Sequence, residues 1–188
     1  MYYSKKELRS LGFNTVGENT EVSKLCSLYL NGKSSIGNYV RIDDFTVIKG
    51  CIDIGDNIHI GSFCSFNASG SKITLEDYVG ISTHCGFFTA IEDFINPTLM
   101  SPAINKEFSK ISKREEIILE SASKVGSNCT FLPGSKVGYG ASIGANSVIS
   151  SEIREGSIIA QRYRGIKVFG VRDITEIRNL QKMYENKD

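Results

Sequence analysis

Residues Val125–Ile149 read VGSNCTFLPGSKVGYGASIGANSVI, and an aliphatic residue, often followed by glycine, returns in this stretch about every six residues. A period of six matches neither the 3.6-residue repeat of an α-helix nor the two-residue alternation of an ordinary strand. It indicates one side of a parallel β-helix, in which each short strand ends in a turn and the chain winds into a prism. Similar pairs occur earlier, at Ile54-Gly55, Ile60-Gly61 and Val79-Gly80.

The six-residue unit also predicts which other side chains point inward. With the aliphatic residue as position one, the fifth position lies near a tight corner and should be small or β-branched. This register makes Cys85 a position-one residue and directs His84, at position six, outward. Glycine at position two is expected to adopt a positive φ. Register slips, and therefore small loops, are expected at 28–36 and 66–73. The predicted inward fifth positions are Cys26, Val40, Thr46, Cys64, Thr83, Thr89, Cys129, Ser135, Ala141 and Ser147.

The chain divides into a β-helix flanked by two helical ends, so the fold class is all-β. Residues 1–15 are predicted to form an N-terminal helical cap, with a capping box between Ser4 and Glu7. The β-helix is assigned to residues 16–160 and is interrupted by one long loop, 92–116. Residues 161–188 are a basic segment and an amphipathic helix that covers the end of the β-helix. Loops on rigid scaffolds often carry function, which directs attention to 92–116.

Composition excludes several classes of function. The formal net charge of the 188 residues is +1, so no electrostatic footprint for nucleic acid or an anionic membrane exists. The sequence has no apolar run long enough to be an integral membrane segment, and its start lacks the apolar stretch of a signal peptide. Five cysteines at no metal-like spacing indicate a reducing compartment. We therefore predict a cytoplasmic protein without a metal.

The run from Leu119 to Ile149, with Thr130-Phe131-Leu132-Pro133-Gly134 two hexads before Ile143-Gly144, resembles the hexapeptide-repeat acyltransferases. It looks most like their sugar O-acetyltransferase branch, which includes maltose and galactoside acetyltransferases and polysaccharide-modifying enzymes. The resemblance covers about residues 30–160. It implies a left-handed parallel β-helix, a homotrimer, and an acetyl-CoA site between adjacent subunits. Parallel crossovers are normally right-handed, so the handedness rests on the resemblance alone.

In these relatives a segment like Phe87-Phe88-Thr89-Ala90 leads into a catalytic histidine, and the matching position here is Glu92. Glu92 can serve as the base if its pKa is raised, or it can be a polar residue at the loop entrance. Asp93 either raises that pKa by repulsion or binds substrate. His84 is the nearest imidazole and the second candidate for the base. Asn67 and Arg41 are predicted to line the acceptor pocket, although surface turns explain them equally well.

The residues that the resemblance assigns to acetyl-CoA lie near the C-terminal coils. Close approach of the pantetheine arm is expected at Gly138, Gly144, Ala145 and Ser147, positions that coil turns also explain. Relatives commonly continue with a Gly-x-Pro-Ala-Lys turn that contacts CoA, and this chain has 159–167 instead. The predicted phosphate-binding cations of that segment, which can also be a solvated basic tail, are Arg162, Arg164 and Lys167.

Three functions follow from these observations. The first is acetyl-CoA-dependent O-acetylation of a sugar hydroxyl, in the biosynthesis of a surface polysaccharide. The second is N-acetylation of a nucleotide-linked amino sugar; an amine that arrives deprotonated needs less help from a base, which makes the missing histidine tolerable. The third is a trimeric scaffold that has kept the fold without the chemistry.

Overall fold

The computed structural model of the chain describes residues 1–95, 110–162, 165–171 and 173–185. Short strands and two helices make up most of these residues. They are α1 (Lys5–Ser10), β1 (Phe13–Val16), β2 (Glu21–Val22), β3 (Ser27–Leu30), β4 (Ser34–Ile36), β5 (Arg41–Ile42), β6 (Val47–Ile54), β7 (His59–Ile60), β8 (Ser65–Leu75), β9 (Gly80–Ile81), β10 (Gly86–Phe88), β11 (Ala90–Glu92), β12 (Ile111–Arg114), β13 (Ile117–Leu119), β14 (Lys124–Val125), β15 (Thr130–Phe131), β16 (Lys136–Val137), β17 (Ser142–Ile143), β18 (Val148–Ile149), β19 (Glu152–Ile153), β20 (Ser157–Arg162), β21 (Gly165–Val171) and α2 (Ile174–Glu185).

The strands stack in parallel on three faces of a prism, which confirms the predicted parallel β-helix. Face 1 contains β1, β4, β13, β16 and β19, and the C-terminal halves of β6 and β8. Face 2 contains β2, β5, β7, β9, β14, β17 and β20. Face 3 contains β3, β10, β15 and β18, and the N-terminal halves of β6 and β8. The inward aliphatic and aromatic residues of the three faces form a continuous core.

The register differs from the prediction after the second slip. The interval from Phe66 to Leu75 has nine residues instead of six, and the inward position-one residues that follow are Leu75, Ile81 and Phe87. The predicted register was wrong here because Val79-Gly80 imitates the aliphatic-glycine pair, although Val79 is at position five. Cys85 consequently occupies position five, Thr83 is only half-buried, and His84 moves to position four.

The prediction that glycine at position two adopts a positive φ is also wrong. The non-glycine residues with positive φ stand at position four of their hexads, and they include aromatic residues such as Phe45 and Phe63, both at 61°. Position two needs glycine because neighbouring coils approach closely. A Cβ added to Gly126 would lie 2.6 Å from the backbone nitrogen of Ala145. Glycine is therefore required at position two by the close approach of the next coil, and not by a positive φ in the turn.

One interior corner, between faces 2 and 3, is lined by thiols and hydroxyls that bond to the next coil. Cys64 and Cys85 each donate to a backbone carbonyl at 3.2 Å, those of Ser82 and Gly126. Thr46 donates to the carbonyl of Gly61 at the same distance. This column explains why position five at this corner carries cysteine, threonine or serine: a purely apolar residue would leave a buried carbonyl without a donor. Burial raises the pKa of the Cys26 thiol, in the same column, to about 11, which keeps it protonated.

Aromatic rings fill the core of face 3. Phe66, Phe87 and Phe131 belong to successive coils and are fully buried, with ring centroids 4.6 and 4.5 Å apart and planes within 5° of parallel. Because parallel coils keep every side chain in register, the three rings stack face to face. This wide column supports the coils from which the long loop departs.

Both ends of the prism are covered. At the N-terminus the predicted capping box is present, and the buried side chain of Leu8 packs onto the first coil. At the C-terminus the basic segment forms an antiparallel hairpin of β20 and β21, which the sequence did not predict. Helix α2 then packs beside Gly140 through Ile174 and Ile177. Neither helix is long and apolar enough to cross a membrane, within the ranges that the structure describes.

We expect Thr46→Val to lower the free energy of unfolding by about 1–3 kcal/mol, because it keeps the shape but leaves the carbonyl of Gly61 unpaired. Urea denaturation measures the change. Thr130→Val is the matched control, since Thr130 is on the outer side of face 3 and should change stability by about 0.5 kcal/mol or less. Equal losses in the two variants would contradict the stabilising role of the corner column.

Candidate active site

Every extra residue of the solenoid is inserted at one corner, between faces 3 and 1. Additional residues lie between Leu28 and Ile36, between Phe66 and Leu75, and between Phe87 and Leu119. We call this edge the insertion corner. The other corners keep the regular repeat, so the polar groups that the repeat does not explain are concentrated here. Three of the predicted site residues, Asn67, Glu92 and Asp93, belong to it.

Thr89 joins the inserted segments of two neighbouring coils. Its fully buried hydroxyl donates to the carbonyl of Asn67 at 3.1 Å and accepts from the amides of Gly70 and Ser71, at 3.2 and 3.0 Å. The side-chain oxygen of Asn67 accepts from the hydroxyl of Ser69 at 2.6 Å. These bonds fix the turn at 67–71 against the strand that enters the long loop. The floor of the insertion corner is therefore ordered by buried polar contacts.

The long loop starts from a short antiparallel ladder of β11 and β12. Asp93 follows it directly, and its side chain is only 5% exposed. One carboxylate oxygen accepts from the amide of Ile95 at 3.0 Å, and the other lies 3.9 Å from Nζ of Lys110. The backbone amide of Asp93 donates to the carbonyl of Lys110 at 2.8 Å. Asp93 is thus a well-held carboxylate at the entrance of the loop; residues 96–109 of the predicted loop 92–116 lie outside the described residues.

Glu92 has a different environment, although it is adjacent. Its Oε2 atom is buried and has no hydrogen-bond partner among the described residues. Buried carboxylate oxygens normally have at least one donor, so an unpartnered one requires an explanation. A ligand that brings an N–H or O–H group supplies such a donor. At the position predicted for the base, the structure therefore has a buried acceptor atom that receives no hydrogen bond from any described residue.

Arg41 lies on face 2, away from the insertion corner. Its Nε donates to Asp43 at 2.8 Å, and Nε2 of His59 lies 2.8 Å from the other oxygen of Asp43. Burial tends to raise the pKa of Asp43, but the hydrogen bonds from His59 and Arg41 outweigh it and leave that pKa below its usual value. Within one chain Arg41 and Asn67 therefore lie apart, and their assignment to one acceptor pocket stays a prediction that requires two subunits to form the pocket.

The sequence did not reveal the pairing of Asp43 with His59. The two residues are 16 positions apart and belong to successive coils. Because β5 and β7 pair in register, a residue at position two of one coil lies diagonally beside position six of the next. The pair can therefore be identified from the sequence once Asp43 and His59 are assigned to positions two and six of hexads on successive coils.

His84 occupies the corner between faces 2 and 3, with a φ of 61°. Its ring stacks on Phe63 with centroids 4.9 Å apart, and Phe63 stacks in turn on Phe45 at 5.0 Å. In the parts of the chain that the structure describes, no carboxylate contacts the ring. His84 points outward as predicted, but from position four instead of position six because of the register shift, and its ring belongs to an external aromatic stack.

The residues predicted to bind acetyl-CoA are on different faces. Gly138 follows the face 1 strand β16, whereas Gly144 and the exposed Ala145 follow the face 2 strand β17. A Cβ on Gly138 or Gly144 would lie 2.5 or 2.7 Å from an atom of the next coil, so stacking accounts for both glycines. Ser147 is fully buried and donates to the carbonyl of Gly144 at 2.6 Å, so its side chain faces the core. Backbone approach of the pantetheine arm at these positions stays a prediction.

The predicted cationic contacts to CoA cannot be placed. Arg164 and the side chains of Arg162 and Lys167 lie outside the described residues. Among the described side chains, no three histidine, cysteine, aspartate or glutamate residues converge as metal ligands.

Comparison with known proteins indicates which class of reaction this site belongs to. No family model matches the chain. It is 34% identical over 154 residues to the dTDP-4-amino-4,6-dideoxy-D-glucose acyltransferase of Escherichia coli, a match that covers 80% of this chain and 79% of that protein. A crystal structure of a variant of AntD, an N-acyltransferase from Bacillus cereus, in complex with dTDP and coenzyme A is also similar. It has a TM-score of 0.88 and 28% identity, over 98% of this chain and 97% of AntD.

A maltose O-acetyltransferase from Clostridium difficile is more distant, with a TM-score of 0.58 and 16% identity over 89% of this chain and 74% of that chain. That similarity shows the fold alone. The match to AntD confirms the left-handed β-helix of the acyltransferases. With the Escherichia coli relative above 30% identity over most of both sequences, the chain belongs to the hexapeptide-repeat acyltransferases.

Proposed function

We propose that the protein transfers an acyl group from an acyl-CoA thioester to the amino group of a nucleotide-linked amino sugar. The similarity to the Escherichia coli dTDP-amino-sugar acyltransferase is the observation that carries the proposal. The likeness to AntD, an N-acyltransferase in complex with dTDP and coenzyme A, supports both substrates. N-acylation was the second of the three functions derived from the sequence. It is now better supported than O-acetylation, whose representative among the comparisons shares the fold alone.

An amine acceptor also fits the residue at the catalytic position. A sugar hydroxyl must lose its proton as it attacks, which makes an imidazole valuable, whereas an unprotonated amine is already nucleophilic. The amine nitrogen attacks the thioester carbonyl, the carbon–nitrogen bond forms and the carbon–sulfur bond breaks. The proton lost by nitrogen ends on the departing thiol. Glutamate in place of histidine is compatible with this chemistry.

We assign Glu92 to the acceptor nitrogen. An ammonium or amine N–H is the donor that the buried Oε2 atom lacks among the described residues. Asp93, one residue further, adds a second carboxylate to the loop entrance, and its charge is partly balanced by Lys110, 3.9 Å away. Deprotonation by Glu92 then delivers the free amine to the thioester.

The acyl group and the assembly stay predictions. AntD has also been crystallised with 3-hydroxybutyryl-CoA, so acetyl is not the only acyl group to test. We retain the homotrimer and the cytoplasmic location proposed from the sequence. The assembly of more than one copy has a structural argument, because Arg41 on face 2 and Asp93 at the insertion corner are separated within one chain. If both contact the same substrates, two copies must supply them.

We expect the purified protein to release free CoA from acetyl-CoA when a dTDP-linked 4-amino-4,6-dideoxy sugar is present, with a product heavier by one acyl group. The matched control is the same nucleotide sugar with a hydroxyl in place of the amine, for which we expect kcat/KM to be lower by about 100-fold or more. Thiol release and mass spectrometry give both results. Preference for the hydroxyl sugar would restore the O-acetyl hypothesis, and no release with any acceptor would favour the scaffold.

We expect Glu92→Gln to lower kcat/KM for the amino sugar by about tenfold or more at pH 7, since a general base contributes about 10²–10⁴-fold. The defect should shrink as the pH rises above the pKa of the substrate ammonium, because the free amine needs no base. Glu115→Gln, an exposed carboxylate near the same loop base, should behave like the wild type.

His84→Asn tests the second candidate for the base. Asparagine tolerates the positive φ at this position, and we assign the ring of His84 to the aromatic stack, so turnover should be retained. A pH-independent loss in Glu92→Gln, or a tenfold loss in His84→Asn, would show that the base is assigned incorrectly.

A further inference from the structure

Nothing within the chain explains why residue 80 is a glycine. Its backbone is outside the positive-φ region, so any residue can adopt its conformation, and a Cβ added to it would meet no atom within 4 Å. In contrast, Gly61 and Gly144 on the same face are crowded by the next coil. Neither backbone conformation nor coil stacking therefore selects glycine at position 80. The remaining physical reason is the close approach of something outside the chain.

Gly80 forms the floor of a groove on face 2. The groove has a volume of about 370 Å³, and Asp43, His59, Ser82 and Lys124 are among its lining residues. β7, β9 and β14 pair in register, so His59, Gly80 and Lys124 occupy equivalent places on three successive coils. Two basic side chains thus flank a gap where the side chain is missing. Adjacent strands are about 4.8 Å apart, which puts the flanking backbones about 10 Å from each other.

The charge of the groove is suited to an anion. Arg41 and His59 share the carboxylate of Asp43, which holds the imidazole in one orientation. Lys124 is exposed, and among the described residues it forms no ion pair. The groove itself is thus lined by one carboxylate, one permanent cation and one imidazole, those of Asp43, Lys124 and His59. Arg41, which pairs with Asp43, adds a second permanent cation beside it. A ligand with two adjacent phosphates can extend from one flank of the gap to the other, whereas a single phosphate reaches only one.

We propose that the groove above Gly80 binds the diphosphate group of a nucleotide, between His59 and Lys124, with Asp43 orienting the histidine. The inference rests on the proposed function, whose two substrates, a nucleotide sugar and CoA, both carry a diphosphate ester. Their shared chemistry is what the groove recognises. Which of the two it binds is decided by comparing them as ligands.

Proton NMR of the imidazole rings tests this inference directly. The chain contains two histidines, so the spectrum of the full protein has one C2 proton signal from His59 and one from His84; His59→Gln assigns them. We expect inorganic pyrophosphate to move the His59 signal saturably and to leave His84 unchanged. Thymidine, which has no phosphate, should move neither. A response to dTDP identifies the acceptor nucleotide, and a response to CoA alone identifies the donor.

Two variants locate the site. Gly80→Leu should abolish the response of His59 by filling the groove, and its fold should persist because the added Cβ meets no neighbour. Lys124→Met should weaken the response about tenfold, the effect of one charge-assisted hydrogen bond. Lys49→Met, an exposed lysine of face 3, is the matched control and should bind like the wild type.

The inference is overturned if none of pyrophosphate, dTDP and CoA moves the His59 signal, or if Gly80→Leu and Lys124→Met both bind like the wild type. Its failure is distinguishable from that of the proposed function. If the wild-type His59 signal responds to none of the three ligands, while acyl transfer proceeds both in the wild type and in Gly80→Leu, the groove is contradicted but the N-acyltransferase stays intact. A His59 signal that responds to pyrophosphate, in a protein that transfers no acyl group, contradicts the proposed function and supports the groove.

Discussion

Parallel pairing of each coil with the next is the constraint on which the structure depends. Ile42 and Ile60, 18 residues apart, are direct partners, and the same pairing continues along every face. A side chain therefore always lies between side chains of the same hexad position, about 4.8 Å above and below it. This produces columns: stacked phenylalanines, thiols and hydroxyls bonded to carbonyls, and glycines where the backbones approach. Gly80 departs from its column, because its neighbours on the coils above and below are the basic residues His59 and Lys124; our proposal for the groove rests on this departure.

The same constraint explains why chemistry is concentrated at one edge. An insertion within a strand would break the ladders above and below, but an insertion at a corner leaves both faces paired. The chain places its extra residues between faces 3 and 1, where they supply polar groups that the repeat cannot provide. Thr89 shows the cost of such irregularity: its buried hydroxyl takes part in three hydrogen bonds to hold an inserted turn. Glu92 lies immediately beyond this ordered region and keeps one buried oxygen unsatisfied by the described residues.

Much of the fold was predictable from the sequence because the repeat is local. The period, the capping box of Ser4 and Glu7, and the burial of Cys26, Cys64 and Cys129 follow from short patterns. The register after 66–75 was not predictable, since Val79-Gly80 satisfies the pattern as well as Ile81 does. That single shift displaced His84 and Cys85 together. The pairing of Asp43 with His59 and the separation of Arg41 from Asn67 depend on which face each hexad occupies, which the period alone does not determine.

Glutamate at the position where the resemblance expects a histidine agrees with our proposal that the acceptor is an amine. Much of the rate enhancement of a group transfer comes from holding the nucleophile against the carbonyl, and the solenoid supplies that orientation irrespective of the base. With a hydroxyl acceptor, loss of the imidazole removes the proton acceptor that the attack requires. With an amine, the remaining requirement is to bind the ammonium and release one proton, and a carboxylate does both. The glutamate at position 92 is therefore better explained by a nitrogen nucleophile than by loss of catalysis.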